Sequence, residues 1–532
     1  MRYIAGLIGV VALAGAAAGF LGMSGATAAG RIQKSVAEVG RPNVVFILTD
    51  DLGYGDISAN GATKVKTPNI DRIANEGIRF TNAYAPSATC TPSRYALMTG
   101  EYAFRKPGTG VLPGDAAMII DPSRMTLPKR FKDAGYATAA IGKWHLGLGN
   151  AATSPLDWNK HITPGANELG FDQTYLIPAT VDRVPTVWVK NGDVIGLDPA
   201  DPIKVDYKQR IGDWPTGREN PELLKQKHSH GHDMTIVNGI GRIGWMTGGK
   251  KALWVDEDIA DTIIRETTTY IEQNKQKPFF LYVGTHDIHV PRVPHKRFAG
   301  KSGMGPRGDA ILQLDAQVGA ILKALDKNGL ADNTIVVFTS DNGPVVDDGY
   351  QDQAVALLGD HKPAGPLRGG KYSLFEGGTR VPFMVRWPAG QRLSPGDARK
   401  ANAGRVSSSM ISLVDMLVSF DQILSSGRKQ PLSGDGLDVS DALRGSGQGK
   451  RNYIVEHAGR LALRWEKWKL IPAGKGVAFQ PLTGTETGNL DADQLYDLDA
   501  DPHEDRNVAA ANPDVITRMK GMLAQLRAGK QP

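Results

Sequence analysis

The chain has 532 residues, of which 41% are hydrophobic and 22% are charged, and this balance is typical of a folded globular protein. Its formal net charge of +6 is mild and its basic residues are scattered, which argues against nucleic-acid binding but is compatible with a local basic pocket for a small anion. The length predicts one large domain and a smaller one.

The first 28 residues match the pattern of a secretory signal peptide. Arg2 precedes an apolar run rich in alanine and glycine, and the small residues that follow end in an A-x-A cleavage site at Ala26-Thr27-Ala28. A transmembrane anchor is the alternative, but the run is barely long enough to cross a bilayer. We therefore expect cleavage near Ala28 and a mature protein that is periplasmic or secreted, with no membrane association.

Strand-like and helix-like segments alternate through most of the remaining chain. Asn43–Leu48 is a short apolar run of the kind found in buried parallel strands, and a helix follows with Pro68 in its first turn and Gly77 at its end. The alternation continues to "TIVVFTS" at residues 334–340, which follows a helical stripe of apolar residues. It predicts an α/β domain over residues 41–430 with a doubly wound, mostly parallel central sheet.

Two segments depart from this pattern. Residues 175–255 contain a predicted hairpin with Asn191-Gly192 at its turn, proline-rich loops and the motif "KHSHGHDM", and we expect an insertion that shapes the substrate side of the site. Residues 431–532 begin with a Gly/Ser-rich stretch and continue with short strand-like runs and a terminal helix. They predict a smaller C-terminal α+β subdomain with a short antiparallel sheet.

Polar side chains come directly after three of the predicted strands. They are Asp50 and Asp51, His286 and His289, and Asp341 and Asn342. Ligand sites in doubly wound sheets lie at the carboxyl ends of the strands, so these side chains are expected at one rim of the sheet. Either acidic pair alone would more often cap a helix or close a turn, but together they offer four oxygen ligands suited to calcium or magnesium. The sequence therefore predicts a divalent metal site.

The only cysteine of the chain, Cys90, lies in the stretch "TCTPSR". A single thiol cannot form an internal disulfide, and a buried free cysteine usually acts as a small hydrophobic residue. The adjacent proline, serine and arginine argue against that simple role. Cationic and proton-transferring side chains lie in this stretch and in other motifs. They are Arg94 in "TCTPSR" and, elsewhere, Lys143, His145, His289 and Lys371. A metal ion with such groups suits the transfer of an oxyanion that carries several charged oxygens. Fixed positive charges stabilise those oxygens, and an acidic side chain can give the leaving oxygen its proton.

Several motifs resemble one enzyme family. "CTPSRYALMTG" is similar to the sulfatase signature Cys-x-Pro-Ser-Arg-x-x-x-x-Thr-Gly, and "GKWHLG" is similar to the second sulfatase signature. "FILTDDLGYGD", "SDNGP" and "LYDLDADPHEDRN" also resemble that family, so the likeness runs from about residue 42 to the C-terminus. The chain resembles the formylglycine-dependent, arylsulfatase A-like sulfatases of the alkaline phosphatase superfamily, which implies a hydrolase of aryl or carbohydrate sulfate esters.

The resemblance explains the lone cysteine. It implies that a formylglycine-generating enzyme oxidises Cys90 to Cα-formylglycine (3-oxoalanine), and that Thr91, Pro92 and Arg94 belong to the tag which that enzyme reads. The hydrated aldehyde has two hydroxyl groups. One would attack sulfur, and the second would lose its proton so that sulfate can leave, which a plain serine could not achieve.

The resemblance also implies a role for each remaining site residue. One Ca²⁺ per chain would be bound by Asp50, Asp51, Asp341, Asn342 and an oxygen of residue 90. Arg94 would stabilise the aldehyde hydrate, and His145 would remove a proton. Lys143 and Lys371 would bind the sulfate oxygens. His289 or, as second choice, His286 would contact the leaving oxygen, and Thr180 would place a hydroxyl near the sulfate.

Other interpretations remain open at the level of sequence. A phosphodiesterase or phosphonate monoester hydrolase of the same superfamily would share the α/β core, and a non-catalytic binder of sulfated glycans would share the fold without turnover. His228, His230 and His232 alternate in "HSHGHD", which could ligate a transition metal but is more often a polar loop near the substrate entrance. The natural substrate and the oligomeric state stay undetermined.

Overall fold

The computed structural model describes residues 41–151, 156–390, 403–424, 432 and 434–531. The predicted signal peptide at residues 1–28 and the predicted domain boundary at residue 430 lie outside these ranges. Across the described ranges, no helix is both long enough and apolar enough to span a bilayer.

Strands make up most of the framework. In chain order they are β1 (Asn43–Thr49), β2 (Ile78–Tyr84), β3 (Ala137–Lys143), β4 (Gln173–Ile177), β5 (Val189–Lys190), β6 (Asp193–Val194), β7 (Lys204–Asp206), β8 (Ile236–Val237), β9 (Ile240–Gly241), β10 (Trp245–Thr247), β11 (Phe279–Gly284), β12 (Thr334–Ser340), β13 (Phe383–Arg386), β14 (Arg405–Ser412), β15 (Tyr453–His457), β16 (Leu461–Trp465), β17 (Trp468–Ile471) and β18 (Gln494–Asp497).

The α-helices lie mostly between these strands. They are α1 (Pro68–Glu76), α2 (Cys90–Thr99), α3 (Leu127–Asp133), α4 (Ile259–Gln273), α5 (Gly305–Lys327), α6 (Ala354–Leu357), α7 (Glu376–Thr379), α8 (Met416–Leu424), α9 (Ser440–Arg444) and α10 (Pro513–Arg527).

The main sheet has ten strands in the order β14-β2-β13-β12-β1-β11-β3-β4-β5-β6 among the described residues. Its centre consists of five adjacent parallel strands, β12, β1, β11, β3 and β4. The strands β13, β5 and β6 are antiparallel to their neighbours. This arrangement confirms the predicted α/β class with a mostly parallel sheet.

Helices cover both faces of the main sheet. Along β1, Val44, Phe46 and Leu48 belong to the hydrophobic core on one face, whereas Val45 and Ile47 belong to the core on the other, as the two-residue period of a strand requires. Residues of α2, α3 and α8 complete the first core, and residues of α1, α4 and α5 complete the second. Two covered faces explain why the central strands are apolar along their whole length.

The segments outside the alternating pattern are built from small sheets. The predicted hairpin is formed by β5 and β6, and Asn191 and Gly192 have the positive φ angles (49° and 90°) that its tight turn requires. It extends the main sheet, while β7 with β10 and β8 with β9 form two short pairs in the rest of residues 175–255. The expected role of this insertion stays a prediction.

The C-terminal region contains the predicted antiparallel sheet, in the order β15-β16-β17-β18, with α10 packed against it. The run "LALRWEKWKLIP" forms two of these strands, with a turn between Trp465 and Trp468. Val439, Ala442 and Leu443 pack into a core of the main sheet, although they follow the predicted boundary in sequence. The exact extent of the subdomain stays a prediction.

A buried ion pair supports the turn after β1. Both nitrogens of the Arg307 guanidinium fork donate to the carboxylate of Asp56 at 2.8 and 2.7 Å, and both side chains are fully buried. The same carboxylate accepts a hydrogen bond from the amide of Gly53. We expect Arg307→Met to lower the free energy of unfolding by about 3–5 kcal/mol, because it leaves the Asp56 charge buried without its main partner.

Equilibrium urea unfolding would measure this loss. The matched control is Arg210→Met, which removes the exposed ion pair of Arg210 with Glu219 and should cost less than about 1 kcal/mol. A loss for Arg307→Met no greater than that of the control would contradict the prediction.

Candidate active site

The parallel centre of the sheet gathers the predicted site residues at the carboxyl ends of its strands. Asp50 and Asp51 follow β1, Asp341 and Asn342 follow β12, His286 and His289 follow β11, Lys143 ends β3 with His145 two residues later, and Thr180 follows β4. Cys90 starts α2, and Lys371 lies in the loop between α6 and α7. All of these side chains are buried.

Three carboxylates and one amide form the centre of the site. The amide of Asn342 donates to Asp51 Oδ1 at 2.7 Å, and the backbone N–H of Asp51 donates to Asp341 Oδ1 at 3.4 Å. Ligand atoms of Asp50, Asp51 and His289 lie within 4.8 Å of one another. Asp51 has a positive φ of 60°, an uncommon conformation for a non-glycine residue that occurs at functional sites.

Two oxygen atoms in this cluster have no hydrogen-bond partner among the described residues. They are Asp50 Oδ1 and Asn342 Oδ1, and both are buried. Leaving such atoms unsatisfied costs free energy, and a bound ion can supply the missing partner. A hard divalent cation takes six to eight oxygen ligands, so the oxygens of Asp50, Asp51, Asp341 and Asn342 fit it.

The pKa values of the three carboxyl groups are shifted in different directions. Burial raises the pKa of Asp50 against the opposing charge of Lys143, and burial with the nearby charge of Asp50 raises the pKa of Asp341. Burial alone would raise the pKa of Asp51 too, but the charges of Lys371 and His289 outweigh burial and hold this pKa well below its usual range. A cation at the unpaired oxygens would favour the ionised form of all three carboxylates.

The two predicted lysines contact different carboxylates of this cluster. Lys143 Nζ lies 2.5 Å from Asp50 Oδ2 and 3.8 Å from Asp341 Oδ2. Lys371 Nζ lies between Asp51 Oδ2 at 2.9 Å and Asp348 Oδ2 at 2.7 Å. Both ammonium groups are therefore buried beside the acidic centre, where they can bind the oxygens of an anion.

Arg94 connects the helix that carries Cys90 with the acidic cluster. It lies four residues after Cys90, so both side chains are on one face of α2. Its Nε and Nη2 atoms lie 2.9 and 2.7 Å from Asp341 Oδ2, and Nη1 donates to the carbonyl oxygen of Lys143 and to the hydroxyl of Tyr282. The guanidinium is fully buried, so its geometry is fixed by these partners.

His145 lies beside the cysteine. The Cys90 Sγ atom is 3.3 Å from His145 Nδ1, and His145 Nε2 is 2.9 Å from the carbonyl oxygen of Leu112. A carbonyl only accepts, so Nε2 carries hydrogen and, in the neutral ring, the lone pair of Nδ1 faces residue 90. Burial raises the pKa of the Cys90 thiol and holds the pKa of His145 well below its usual range. The thiol is thus poorly placed to act as a thiolate.

The two histidines after β11 have different surroundings. His289 Nδ1 donates to the carbonyl oxygen of Val290 at 2.6 Å, which leaves Nε2 directed at Asp51, 3.8 Å away. His286 Nε2 instead lies 3.2 Å from the carbonyl oxygen of Pro291. Of the two, His289 is therefore the one in contact with the acidic centre.

The remaining predicted residues lie on the insertion side. Thr180 Oγ1 accepts a hydrogen bond from Arg183 Nη1 at 2.5 Å. His232 Nε2 lies 2.9 Å from Asp182 Oδ2, and the His230 and His232 rings are 6.3 Å apart. His228, His230 and His232 form no metal-ligand group in the described part of the chain.

Three charged residues of the site were not predicted from the sequence. Asp348 contacts Lys371, and Asp182 and Arg183 lie beside Thr180. Nothing in their local sequence separates them from ordinary loop residues, although Asp182 and Arg183 lie only two and three residues after Thr180.

Known proteins are similar to this chain in sequence and fold. The Sulfatase family model matches residues 42–420. The N-acetylgalactosamine-6-O-sulfatase of Bacteroides thetaiotaomicron is 51% identical over 489 residues, which cover 92% of this chain and 93% of that protein. Arylsulfatase A of Homo sapiens is 30% identical over 507 residues, which cover 90% of this chain and 86% of that protein.

A solved structure agrees with these relatives. It comes from work on the metabolism of multiple glycosaminoglycans by Bacteroides thetaiotaomicron, is 51% identical, and superposes with a TM-score of 0.88 over 92% of this chain and 99% of its own. The family match covers well over half of the chain, and the mixed main sheet with its small C-terminal sheet matches the sulfatase structures. The chain therefore belongs to the sulfatase family of the alkaline phosphatase superfamily and is a sulfuric ester hydrolase.

Proposed function

We propose that this sulfatase hydrolyses sulfate monoesters of carbohydrates, and that its substrates include N-acetylgalactosamine 6-sulfate. The observation that carries the proposal is 51% identity to an N-acetylgalactosamine-6-O-sulfatase across 92% of the chain, in a protein whose buried site combines Cys90, two lysines, an arginine and two histidines. The expected natural context is outside the cytoplasm, after removal of residues 1–28.

The proposed reaction depends on two groups that the site residues fit. Cα-formylglycine made from Cys90 would supply, as its hydrate, one oxygen that attacks sulfur and a second whose deprotonation releases sulfate. A Ca²⁺ ion bound by Asp50, Asp51, Asp341 and Asn342 would withdraw charge from a sulfate oxygen. A formylglycine-generating enzyme is thus the expected partner during maturation.

The chain's own residues supply charge and proton transfer. Lys143 and Lys371 would hold the sulfate oxygens with their ammonium groups, and Arg94 would fix residue 90 against the cluster. The Nδ1 atom of His145, which lies beside residue 90, would accept the proton that must leave. These groups are buried, so water competes little for them.

His289 would give a proton to the leaving oxygen. Burial and the charge of Lys371 lower its pKa to about 4, so the ring is neutral at neutral pH in the absence of substrate. The negative charge of a bound sulfate ester favours the protonated ring. Since Nδ1 already donates to Val290, the transferable proton would be on Nε2.

Substrate comparison tests the proposal. With enzyme whose residue 90 has been converted, we expect kcat/KM for N-acetylgalactosamine 6-sulfate and for nitrophenyl sulfate to exceed that for a nitrophenyl phosphate diester or a phenylphosphonate ester by more than about 100-fold. Preference for the phosphorus esters would favour a phosphodiesterase or phosphonate monoester hydrolase. Tight binding of sulfated glycans without turnover would favour a non-catalytic binder.

A further inference from the structure

We propose that Asp348 is a positioning residue for Lys371, and that it holds one N–H of the buried ammonium group so that another N–H is directed at the sulfate group of the substrate. The inference rests on the proposed function, in which Lys371 binds a sulfate oxygen, and it identifies the residue that gives the lysine this direction. Asp348 acts through the lysine and not by contact with the anion, because a carboxylate repels sulfate.

The ammonium group of Lys371 has two carboxylate partners. Its Nζ atom lies 2.9 Å from Asp51 Oδ2 and 2.7 Å from Asp348 Oδ2, which are the distances of charge-assisted hydrogen bonds. Among the described residues, these are the hydrogen bonds that Nζ forms. A lysine ammonium carries three N–H groups, so two are used and one remains for an oxygen of a bound anion.

Asp348 is the partner of Lys371 that lies outside the acidic cluster. Asp51 is a proposed Ca²⁺ ligand, and its Oδ1 already accepts a hydrogen bond from Asn342 at 2.7 Å. In the described part of the chain, Lys371 is the only ion-pair partner of Asp348, whose Oδ1 has one further contact, with the Tyr372 hydroxyl at 3.5 Å. The carboxylate of Asp348 is therefore available to the lysine whether or not Asp51 binds a cation.

Burial separates this pair from an ordinary surface ion pair. The side chain of Lys371 is 3% exposed and that of Asp348 is 12% exposed. Exposed ion pairs contribute little because water and salt screen them, whereas a charge that is removed from water needs a close partner. Asp348 thus fixes an ammonium group that has little contact with water.

A buried arginine holds the loop that carries Asp348. Arg292 donates from Nη2 and Nη1 to the carbonyl oxygens of Val345 and Val346, at 3.1 and 2.9 Å. Its Nε donates to the carbonyl oxygen of Ile288 at 3.0 Å, and its side chain is fully buried. Arg292 therefore joins the loop of Asp348 to the segment after β11, so the carboxylate has a fixed place at the site.

The backbone at Lys371 is fixed as well. Its N–H donates to the carbonyl oxygen of Pro344 at 2.8 Å, and the N–H of Tyr372 donates to that of Ala88 at 2.9 Å. The Tyr372 ring centroid lies 5.4 Å from Lys371 Nζ. The long side chain of the lysine is the flexible part, and it would lose its direction if Asp51 were its only partner.

Kinetics and sulfate binding test the assignment in enzyme whose residue 90 has been converted. We expect Asp348→Ala to lower kcat/KM for N-acetylgalactosamine 6-sulfate and for nitrophenyl sulfate by the same factor, about 10- to 100-fold, because it acts on the sulfate group that both substrates share. Binding of inorganic sulfate, measured by calorimetric titration, should weaken in this variant. Asp348→Asn keeps a neutral acceptor for Lys371, so its loss should be smaller but still at least about threefold.

A double-mutant cycle separates positioning from a structural effect. In a Lys371→Ala background, Asp348→Ala should cause no further loss of kcat/KM or of sulfate binding, since the side chain through which it acts is gone. The matched control is Asp347→Ala, which removes a carboxylate from the same loop. In the described ranges, Asp347 contacts the Ser229 hydroxyl and the Gly349 amide. This control should change kcat/KM for both substrates by less than about threefold.

Three results would overturn the assignment and leave the sulfatase proposal intact. They are a loss confined to the saccharide substrate, a loss of equal size with and without Lys371, and sulfate binding in Asp348→Ala that is as tight as in the parent or tighter. The last result would mean that Asp348 only repels the anion.

The outcomes also separate this inference from the function on which it rests. Failure of the unaltered, converted enzyme to hydrolyse any sulfate ester would refute the proposed function, whereas calorimetry with inorganic sulfate would still test the positioning of Lys371. The midpoint of thermal unfolding identifies a misfolded Asp348→Ala enzyme. In that case Asp348→Asn, which has nearly the same shape as the native side chain, decides the question by the same comparisons.

Discussion

Replacing Cys90 with alanine is expected to reduce kcat for sulfate esters by at least about 10⁴-fold, the scale on which enzymes lose activity when the nucleophile is removed. The buried position of the thiol, its raised pKa and the closeness of His145 Nδ1 all suit a group made from the cysteine better than the thiol itself. Hydrolysis of nitrophenyl sulfate and of N-acetylgalactosamine 6-sulfate would measure the loss. A Cys90→Ala enzyme as fast as the parent would refute the scheme.

Two controls sharpen the experiment. Cys90→Ser keeps a side chain of similar size, and its hydroxyl could accept a sulfuryl group, but it has no second hydroxyl to expel sulfate, so it should not turn over. Mass spectrometry of the tryptic peptide Phe80–Arg94 should show the aldehyde or its hydrate in the active parent enzyme. Full activity in protein whose peptide carries only the unmodified thiol would contradict the proposed role of the modification.

Removal of the divalent metal is expected to abolish turnover and to destabilise the protein. Asp50 Oδ1 and Asn342 Oδ1, which lack a hydrogen-bond partner among the described residues, are the atoms that a bound cation would satisfy. At a Ca²⁺ concentration 100 times its dissociation constant, binding should raise the free energy of unfolding by about 2.7 kcal/mol. Urea unfolding with and without chelator would measure this shift, and calorimetric titration with Ca²⁺ or Mg²⁺ would identify the preferred ion.

Variants of the proposed metal-binding residues test whether this change in the free energy of unfolding arises at the acidic cluster. Asp50→Asn and Asp341→Asn should each weaken Ca²⁺ binding by more than about tenfold, since each removes a charge from the cluster. Asp157→Asn is the matched control, because its carboxylate is exposed and, in the part of the chain that the structure describes, contacts only Lys160 and Asn159. Equal stability with and without Ca²⁺, together with full activity in chelator, would show that the cluster needs no metal.

Much of the fold and part of the site could be predicted from the sequence. The strands β1 and β12, the helix with its apolar stripe that became α5, and the hairpin turn at Asn191-Gly192 all depend on periodicity or on local conformational preferences. The acidic pairs could be assigned to one rim because parallel strands of one sheet share a carboxyl end.

The choice between His286 and His289, the contact of Asp348 with Lys371 and the cluster of Asp182, Arg183 and His232 needed the folded structure. His286 and His289 are three residues apart in a loop, and their directions follow from backbone carbonyls that the sequence pattern does not place. Asp182 and His232 are 50 residues apart and meet because the insertion folds against the loop after β12. Such contacts arise from the packing of irregular loops, whose conformations follow no sequence period, so a linear pattern contains no signal for them.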